Sequence, residues 1–173
     1  MDLEKMIRNV PGFPKEGITF KDVTTLLKDP LAFKYTIDAL TEKYRDKAID
    51  VVVATEARGF IFGAPLAYTL GVAFVPVRKP GKLPAETVKI EYALEYGTDA
   101  VEIHKDAISP GQKVLIVDDL LATGGTVLAT AQLVEMLGGQ VMGIAFLIEL
   151  LPLKGRRKLS AYPVKSLIKC EDY

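Results

Sequence analysis

Hydrophobic positions along this 173-residue chain recur with two different periods, and the changes between them outline its elements. At the start, Leu3, Met6, Ile7 and Val10 fall at helical spacing, which predicts a short amphipathic helix stopping before Pro11. A loop with Pro11, Gly12, Pro14 and Gly17 follows. Asp29 before Pro30 is an N-cap and first-turn pair, and Phe33, Ile37, Leu40 and Tyr44 line one face of the helix they open. Residues 49–54, 72–77 and 113–117 are short apolar runs rich in β-branched side chains, the pattern of strands covered on both faces. The last of them leads to a helix in which Val127, Ala131, Val134 and Leu137 form a stripe before Gly138. The oily stretch 141–153 is broken by Glu149 and Pro152, falls short of the roughly 20 residues of a membrane helix, and predicts a buried strand.

Between the second and third runs the texture changes. Val88, Ile90, Tyr92 and Leu94 alternate with Lys89, Glu91, Ala93 and Glu95, then Gly97 turns the chain into a second alternation at Val101 and Ile103. Such alternation predicts an antiparallel flap with one covered face. Strands that otherwise alternate with helices predict an α/β fold with a parallel sheet. The length suits a single domain over 1–173, with a small hood drawn from about 11–28 and 150–173.

Composition narrows the classes. The 22 basic and 22 acidic residues cancel, so no global field draws the chain to nucleic acid or an acidic membrane, and any phosphate must be held locally. Asp2, Glu4, Lys5 and Arg8 make the first ten residues too polar for a signal peptide, and the lone Cys170 suits a reducing, cytoplasmic setting. Lys154, Arg156, Arg157 and Lys158 read as a solvated basic face. His104 stands alone, and no His/Cys/Asp cluster has metal-ligand spacing, so no protein-built metal site is expected.

The chemistry concentrates in 114–126, VLIVDDLLATGGT. Asp118 and Asp119 stand at the carboxyl end of a buried strand, where ligands of open α/β sheets bind. Ala122, Thr123, Gly124, Gly125 and Thr126 make a turn into a helix whose first N–H groups and dipole favour a phosphate monoester. Two carboxylates beside a phosphate need donors to stay ionised, and a sugar diol or a cation supplies them. No lysine follows the glycines, which excludes a P-loop.

This segment resembles the phosphoribosyl pyrophosphate signature of the type I phosphoribosyltransferases, in the form carried by the branch that takes adenine. Residues 13–22 (FPKEGITFKD), 56–60 (EARGF), 78–84 (RKPGKLP), 92–97 (YALEYG) and 149–156 (ELLPLKGR) follow in the order and near the spacing of that branch. The resemblance implies a five-stranded parallel core with a flap and hood, acting as a homodimer. It implies a reaction of adenine with phosphoribosyl pyrophosphate to give AMP and pyrophosphate, with Mg²⁺ arriving on the pyrophosphate. Enzymes for hypoxanthine, guanine or xanthine are the nearest alternatives, and a non-catalytic effector sensor of the same fold is the alternative from another class.

Residue by residue, the resemblance gives pyrophosphate binding to Glu56, Ala57 and Arg58, through a loop whose Glu56–Ala57 peptide is often cis in the family, and to the cationic loop Arg78, Lys79 and Lys82. Glu95 would be the carboxyl group that moves a proton at the purine imidazole ring. Phe20 would stack on adenine with Leu150 opposite, while backbone groups of Thr19 and Lys21 read its edge. On the residues alone, Arg58 reads as a surface partner of Glu56, Glu95 as a turn carboxylate and Phe20 as a core plug, and residues 78–84 read also as a solvated loop. Lys21 replaces the arginine of some relatives, which matters little for a backbone role, and Glu56 replaces an aspartate, which leaves its contacts open.

Overall fold

The computed structural model describes residues 1–94 and 97–173. In chain order its elements are β1 (Arg8–Pro11), β2 (Thr19–Asp22), α1 (Thr24–Leu27), α2 (Pro30–Tyr44), β3 (Val51–Thr55), α3 (Arg58–Leu70), β4 (Ala73–Val77), β5 (Thr87–Ala93), β6 (Thr98–His104), β7 (Lys113–Leu121), α4 (Gly125–Met136), β8 (Gln140–Leu150) and β9 (Val164–Cys170). Five strands form one sheet in the order β4-β3-β7-β8-β9, and every neighbouring pair is parallel.

The central strands alternate between two apolar layers. Val52, Ala54, Leu115 and Val117 face α2 and α3, where Ile37, Leu40, Phe62 and Leu66 meet them. Val51, Val53, Val114 and Ile116 face α4 and the flap, against Val127, Val134, Val101 and Ile103. With both faces of the sheet covered, continuous apolar runs are the stable sequence for its inner strands. β4 differs from its expectation, because it is an edge strand: Ala73 is exposed and Phe74 to Pro76 are half-buried. It has one sheet neighbour, so apolar character alone did not reveal its place.

The expected first helix is absent. Only Glu4–Met6 makes a 3-10 turn, and Arg8–Pro11 instead pairs antiparallel with β2, Val10 opposite Phe20. A helix this short gains little from its own hydrogen bonds. The hairpin adds a ladder, and Arg8 bonds Asp22 at 2.5 Å. The apolar residues are buried regardless, since Leu3 joins the core and Met6 and Ile7 pack against it.

Asp29 caps α2 as expected, its carboxylate accepting from the N–H groups of Leu31 and Ala32. The flap forms from β5 and β6, in register from Thr87 opposite His104 to Ala93 opposite Thr98. Val88, Ile90 and Tyr92 pack on the α4 layer, while Lys89 and Glu91 are exposed. Of the segments expected in the hood, 11–28 holds most of the β1–β2 hairpin and then α1, 151–157 holds two 3-10 turns, and 164–170 is the fifth strand of the main sheet. No described helix is long and apolar enough to cross a membrane.

Candidate active site

From β3 the chain passes to β4 on one side, and the next strand of the sheet, β7, lies on the other. The order of the sheet reverses there, which opens a crevice beyond the carboxyl ends of β3 and β7. Two helices start in that crevice. The N-caps of α3 and α4 are Ala57 and Gly124, and neither gives a side-chain capping bond, unlike Asp29 on α2. Their first N–H groups are therefore left for water or an anion. A cleft of about 400 Å³ lies against them, lined by Glu56, Ala57, Arg58, Lys79, Asp118 and Asp119, with Leu120 and Thr126. The Glu56–Ala57 peptide is cis, as the resemblance implied.

Charges in the cleft are paired across elements. Arg58 Nε lies 2.6 Å from Asp119 Oδ2 and does not pair with Glu56. Glu56 instead accepts from the Lys79 N–H at 2.6 Å and lies 3.3 Å from Arg78 Nε, tying the loop after β3 to the one after β4. The Lys79 ammonium pairs with Asp99 on the flap. Partial burial works against its charge, but Asp99 and Tyr92 hold its pKa above the usual lysine value. Asp118 accepts from the N–H of Asp119 at 2.8 Å. Burial, and then the neighbouring Asp119 charge, push its carboxyl well above the usual carboxylate range. A methyl at Gly59 would lie 2.9 Å from Asp118 Oδ1, so this approach of α3 to β7 needs a glycine.

The turn between β7 and α4 is braced from behind. Gly124 has φ 82°, and a methyl there would meet the carbonyl of Gly155 at 2.8 Å. A methyl on Gly155 would meet the carbonyl of Ala122 at 2.2 Å. Two glycines from distant segments thus let two backbones touch. Arg156, next to Gly155, bonds the buried Glu149 through Nε at 2.9 Å and Nη2 at 2.5 Å, and donates to the Val164 carbonyl. Ser166 donates to the same carboxylate. On the other side, the Tyr92 hydroxyl lies 2.9 Å from Thr126 Oγ1, linking flap to turn.

A second cavity, of about 300 Å³, adjoins the cleft through their shared Leu120. It brings together Thr19, Phe20, Lys21 and Leu150, the residues named for the base, with Thr123 of the glycine turn. In the hairpin, Gly12 N–H bonds the Ile18 carbonyl, so Val10 and Phe20 form the next bonded pair and the ladder groups of Thr19 and Lys21 point away from β1. Arg58 sits 5.3 Å from the centroid of Phe20, so one guanidinium touches both the aromatic plate and Asp119.

The model of the phosphoribosyl transferase domain matches residues 22–172. This chain belongs to that family. It is 64% identical over 171 residues to the adenine phosphoribosyltransferase of Alkaliphilus oremlandii, covering 99% of both chains. The crystal structure of adenine phosphoribosyltransferase from Thermoanaerobacter pseudethanolicus superposes with a TM-score of 0.95 at 62% identity, over 98% of each chain. The Saccharomyces cerevisiae enzyme, solved with an imino-altritol bisphosphate and adenine, superposes with a TM-score of 0.91 at 46% identity, over 96% of each chain.

Within this phosphoribosyl transferase fold, most of the residues named from the sequence line one of two adjoining cavities, while Ala122, Gly124 and Gly125 belong to the turn but line neither. Arg78 borders the cleft through Glu56, and Lys82 is exposed on the loop beyond it. Glu95 lies outside the described residues. Sequence reading missed Tyr92, Asp99, Leu120, Leu153, Gly155 and Tyr173. Tyr92 was visible as an apolar position of an alternating strand and as the start of the 92–97 segment, with no role attached, and Asp99 carried no signal at all. Gly155 carried one, a glycine in the basic run 154–158, but its meaning depends on a contact with Ala122 some thirty residues away.

Proposed function

We propose that this chain is an adenine phosphoribosyltransferase of purine salvage, which joins adenine to the ribose 5-phosphate of phosphoribosyl pyrophosphate and releases AMP and pyrophosphate. What carries the reading is the adjacency of the two cavities: an aromatic plate with outward-facing main-chain groups lies beside a glycine turn with free helix N–H groups. The 5-phosphate sits on the turn 122–126, and Asp118 and Asp119 accept from the ribose hydroxyls. Adenine lies between Phe20 and Leu150, its edge met by the ladder groups of Thr19 and Lys21.

The bond from the anomeric carbon to the pyrophosphate oxygen breaks as the bond from adenine N9 to that carbon forms. Positive charge develops on the sugar, so catalysis rests on holding both partners in line and stabilising the leaving group. Arg58, Arg78, Lys79 and Lys82, with the first N–H groups of α3, take the pyrophosphate. Mg²⁺ enters as part of that substrate, since hard cations take phosphate oxygens and water. Arg58, Arg78 and Lys79 each lie against an acid, so an anionic ligand substitutes for Asp119, Glu56 and Asp99 and exposes no bare cation. Glu95 shuttles the proton on the imidazole ring.

The chain works as one catalytic unit over 1–173, with the 8–22 hairpin and the segments after β8 as its hood. It acts in the cytoplasm as a homodimer. Ile61, Ala64 and Tyr68 are exposed one turn apart on α3, next to the half-buried Pro65 and the open edge of β4, an apolar face suited to a second copy. The test is an initial-rate comparison of adenine, hypoxanthine, guanine and xanthine with phosphoribosyl pyrophosphate and Mg²⁺. Nucleotide formation fastest with adenine, giving AMP, is expected. Faster turnover of another purine overturns the choice of base, and binding without nucleotide formation overturns the enzyme in favour of an effector sensor.

A further inference from the structure

The base-side cavity has a wall that none of the recognised segments contains. Tyr173 lines it together with Phe20, Leu120, Leu150 and Leu153. Its position follows from the sheet. Leu150 pairs with Cys170 at the carboxyl ends of β8 and β9, so the chain leaving β9 emerges beside the residue that closes the cavity.

What holds it there is an unusual ion pair. The Lys21 side chain is only 3% exposed, and its Nζ donates to Asp172 Oδ1 at 2.8 Å, although the Asp172 side chain is 68% exposed. A buried ammonium is costly unless paired, so the partner's position is strongly constrained even though it stands in water. Asp172 responds: the hydrogen bond from Lys21 lowers its pKa below the usual aspartate value. Lys21 follows Phe20 on β2, so the pair fastens residues 171–173 to the strand that carries the aromatic plate.

We propose that the ring of Tyr173, pinned by the Lys21–Asp172 ion pair, is a wall of the base pocket that adds to purine affinity and takes no part in binding phosphoribosyl pyrophosphate. This rests on the reading of that cavity as the base site. The ring covers the purine from solvent, and an aromatic contact with a base is worth about tenfold in affinity. Asp172 acts through Tyr173 and is a positioning residue.

The experiment measures KM for adenine and for phosphoribosyl pyrophosphate separately in the full chain. Wild-type turnover with adenine comes first, because its absence overturns the proposed function and not the wall. With an active wild type, Tyr173→Ala is expected to raise KM for adenine about tenfold with KM for phosphoribosyl pyrophosphate unchanged. Tyr173→Phe should behave as wild type. Asp172→Asn should raise KM for adenine in the same direction by about threefold, with Asp172→Glu restoring it. Raising salt at saturating phosphoribosyl pyrophosphate should raise KM for adenine in wild type but not in Asp172→Asn. An unchanged KM for adenine in Tyr173→Ala overturns the proposal. So does a parallel rise in both KM values, which marks a general loosening of the hood, or a Tyr173→Phe variant as impaired as Tyr173→Ala. Should Tyr173→Ala fail to fold, Tyr173→Leu keeps apolar bulk without the aromatic face, and a wild-type KM for adenine in that variant overturns the ring's role.

Discussion

The two adjoining cavities are built on opposite principles. The cleft beyond β3 and β7 is made of charge and bare backbone: uncapped helix starts, a glycine turn, and acids and bases in pairs. The cavity beside it is made of apolar side chains and the free edge of a two-stranded ribbon. The first is contributed by the ends of strands in one rigid sheet. The second is assembled from β2, the end of β8 and the residues after β9, with Leu120 of β7 and Thr123 of the glycine turn. A site of this kind can keep its charged end while its apolar end varies, so a single scaffold can serve different partners for one sugar phosphate. The helix starts show the difference in one detail. At α2, away from the cleft, an aspartate caps the helix; at α3 and α4, which face it, the cap is alanine or glycine.

The strongest way to break this contrast is at a backbone contact where the two halves meet. Gly155 lies just beyond Leu153 of the base cavity and against Ala122 of the glycine turn. Gly155→Ala places a methyl 2.2 Å from the Ala122 carbonyl, and the far atom is backbone, so the turn itself must shift. A displacement near 1 Å in a positioned reactant costs on the order of a hundredfold. We expect kcat/KM for phosphoribosyl pyrophosphate to fall about that far, while adenine binding measured by calorimetry changes little. Loss of adenine binding to the same degree would show that the two cavities are one mechanical unit.

The contrast also decides what the sequence could show. The charged end is written in contiguous residues: 114–126 contains the strand, both acids and the turn, and each feature has a local physical reason. The inner strands β3 and β7 were legible for the same cause, since burial on both faces demands an unbroken apolar run. The flap was legible because one covered face demands alternation. What escaped depends on distant partners. The pairing of 8–11 with β2 overrode a helical spacing that spanned barely two turns. The edge position of β4, the fit of Gly155 against Ala122, and the pairing of Lys21 with Asp172 across the fold have no local pattern to announce them. Arg58 is the instructive case, because the nearest acid in sequence, Glu56, is not its partner and the partner, Asp119, lies on another strand.

A smaller effect sharpens the charged end itself. Asp119 is almost fully buried and bound to Arg58, whereas the half-buried Asp118 is in charge conflict with it. Asp119→Asn keeps the shape but removes the ionic partner of Arg58 and an acceptor for a sugar hydroxyl. Hydrogen bonds to a charged group are worth about 1.5–3 kcal/mol, so KM for phosphoribosyl pyrophosphate should rise about tenfold or more, with KM for adenine at saturating phosphoribosyl pyrophosphate nearly unchanged. Because Arg58 also stacks on Phe20, a rise in KM for adenine of the same size would reveal coupling through that guanidinium.

The smallest expected effect is on the empty protein. Burial and the Asp119 charge raise the Asp118 pKa in the folded chain above its unfolded value, so folding favours the protonated carboxyl. The sign follows from linkage: this contribution is fully present below about pH 4, where the unfolded carboxyl is also protonated, and is lost as pH rises from there through the folded value. Asp118→Asn is neutral at every pH and lacks that loss. Thermal midpoints of the ligand-free proteins should therefore diverge with rising pH, the variant gaining a few degrees on wild type between about pH 4 and neutrality. The same argument makes the ionised form of Asp118 the one that sugar hydroxyls stabilise. Adding phosphoribosyl pyrophosphate should release protons from wild type on binding, and release fewer from Asp118→Asn in calorimetry across buffers of different ionisation enthalpy. Parallel midpoint curves for the two proteins would show that Asp118 is already ionised in the empty cleft, and that Arg58 serves both acids.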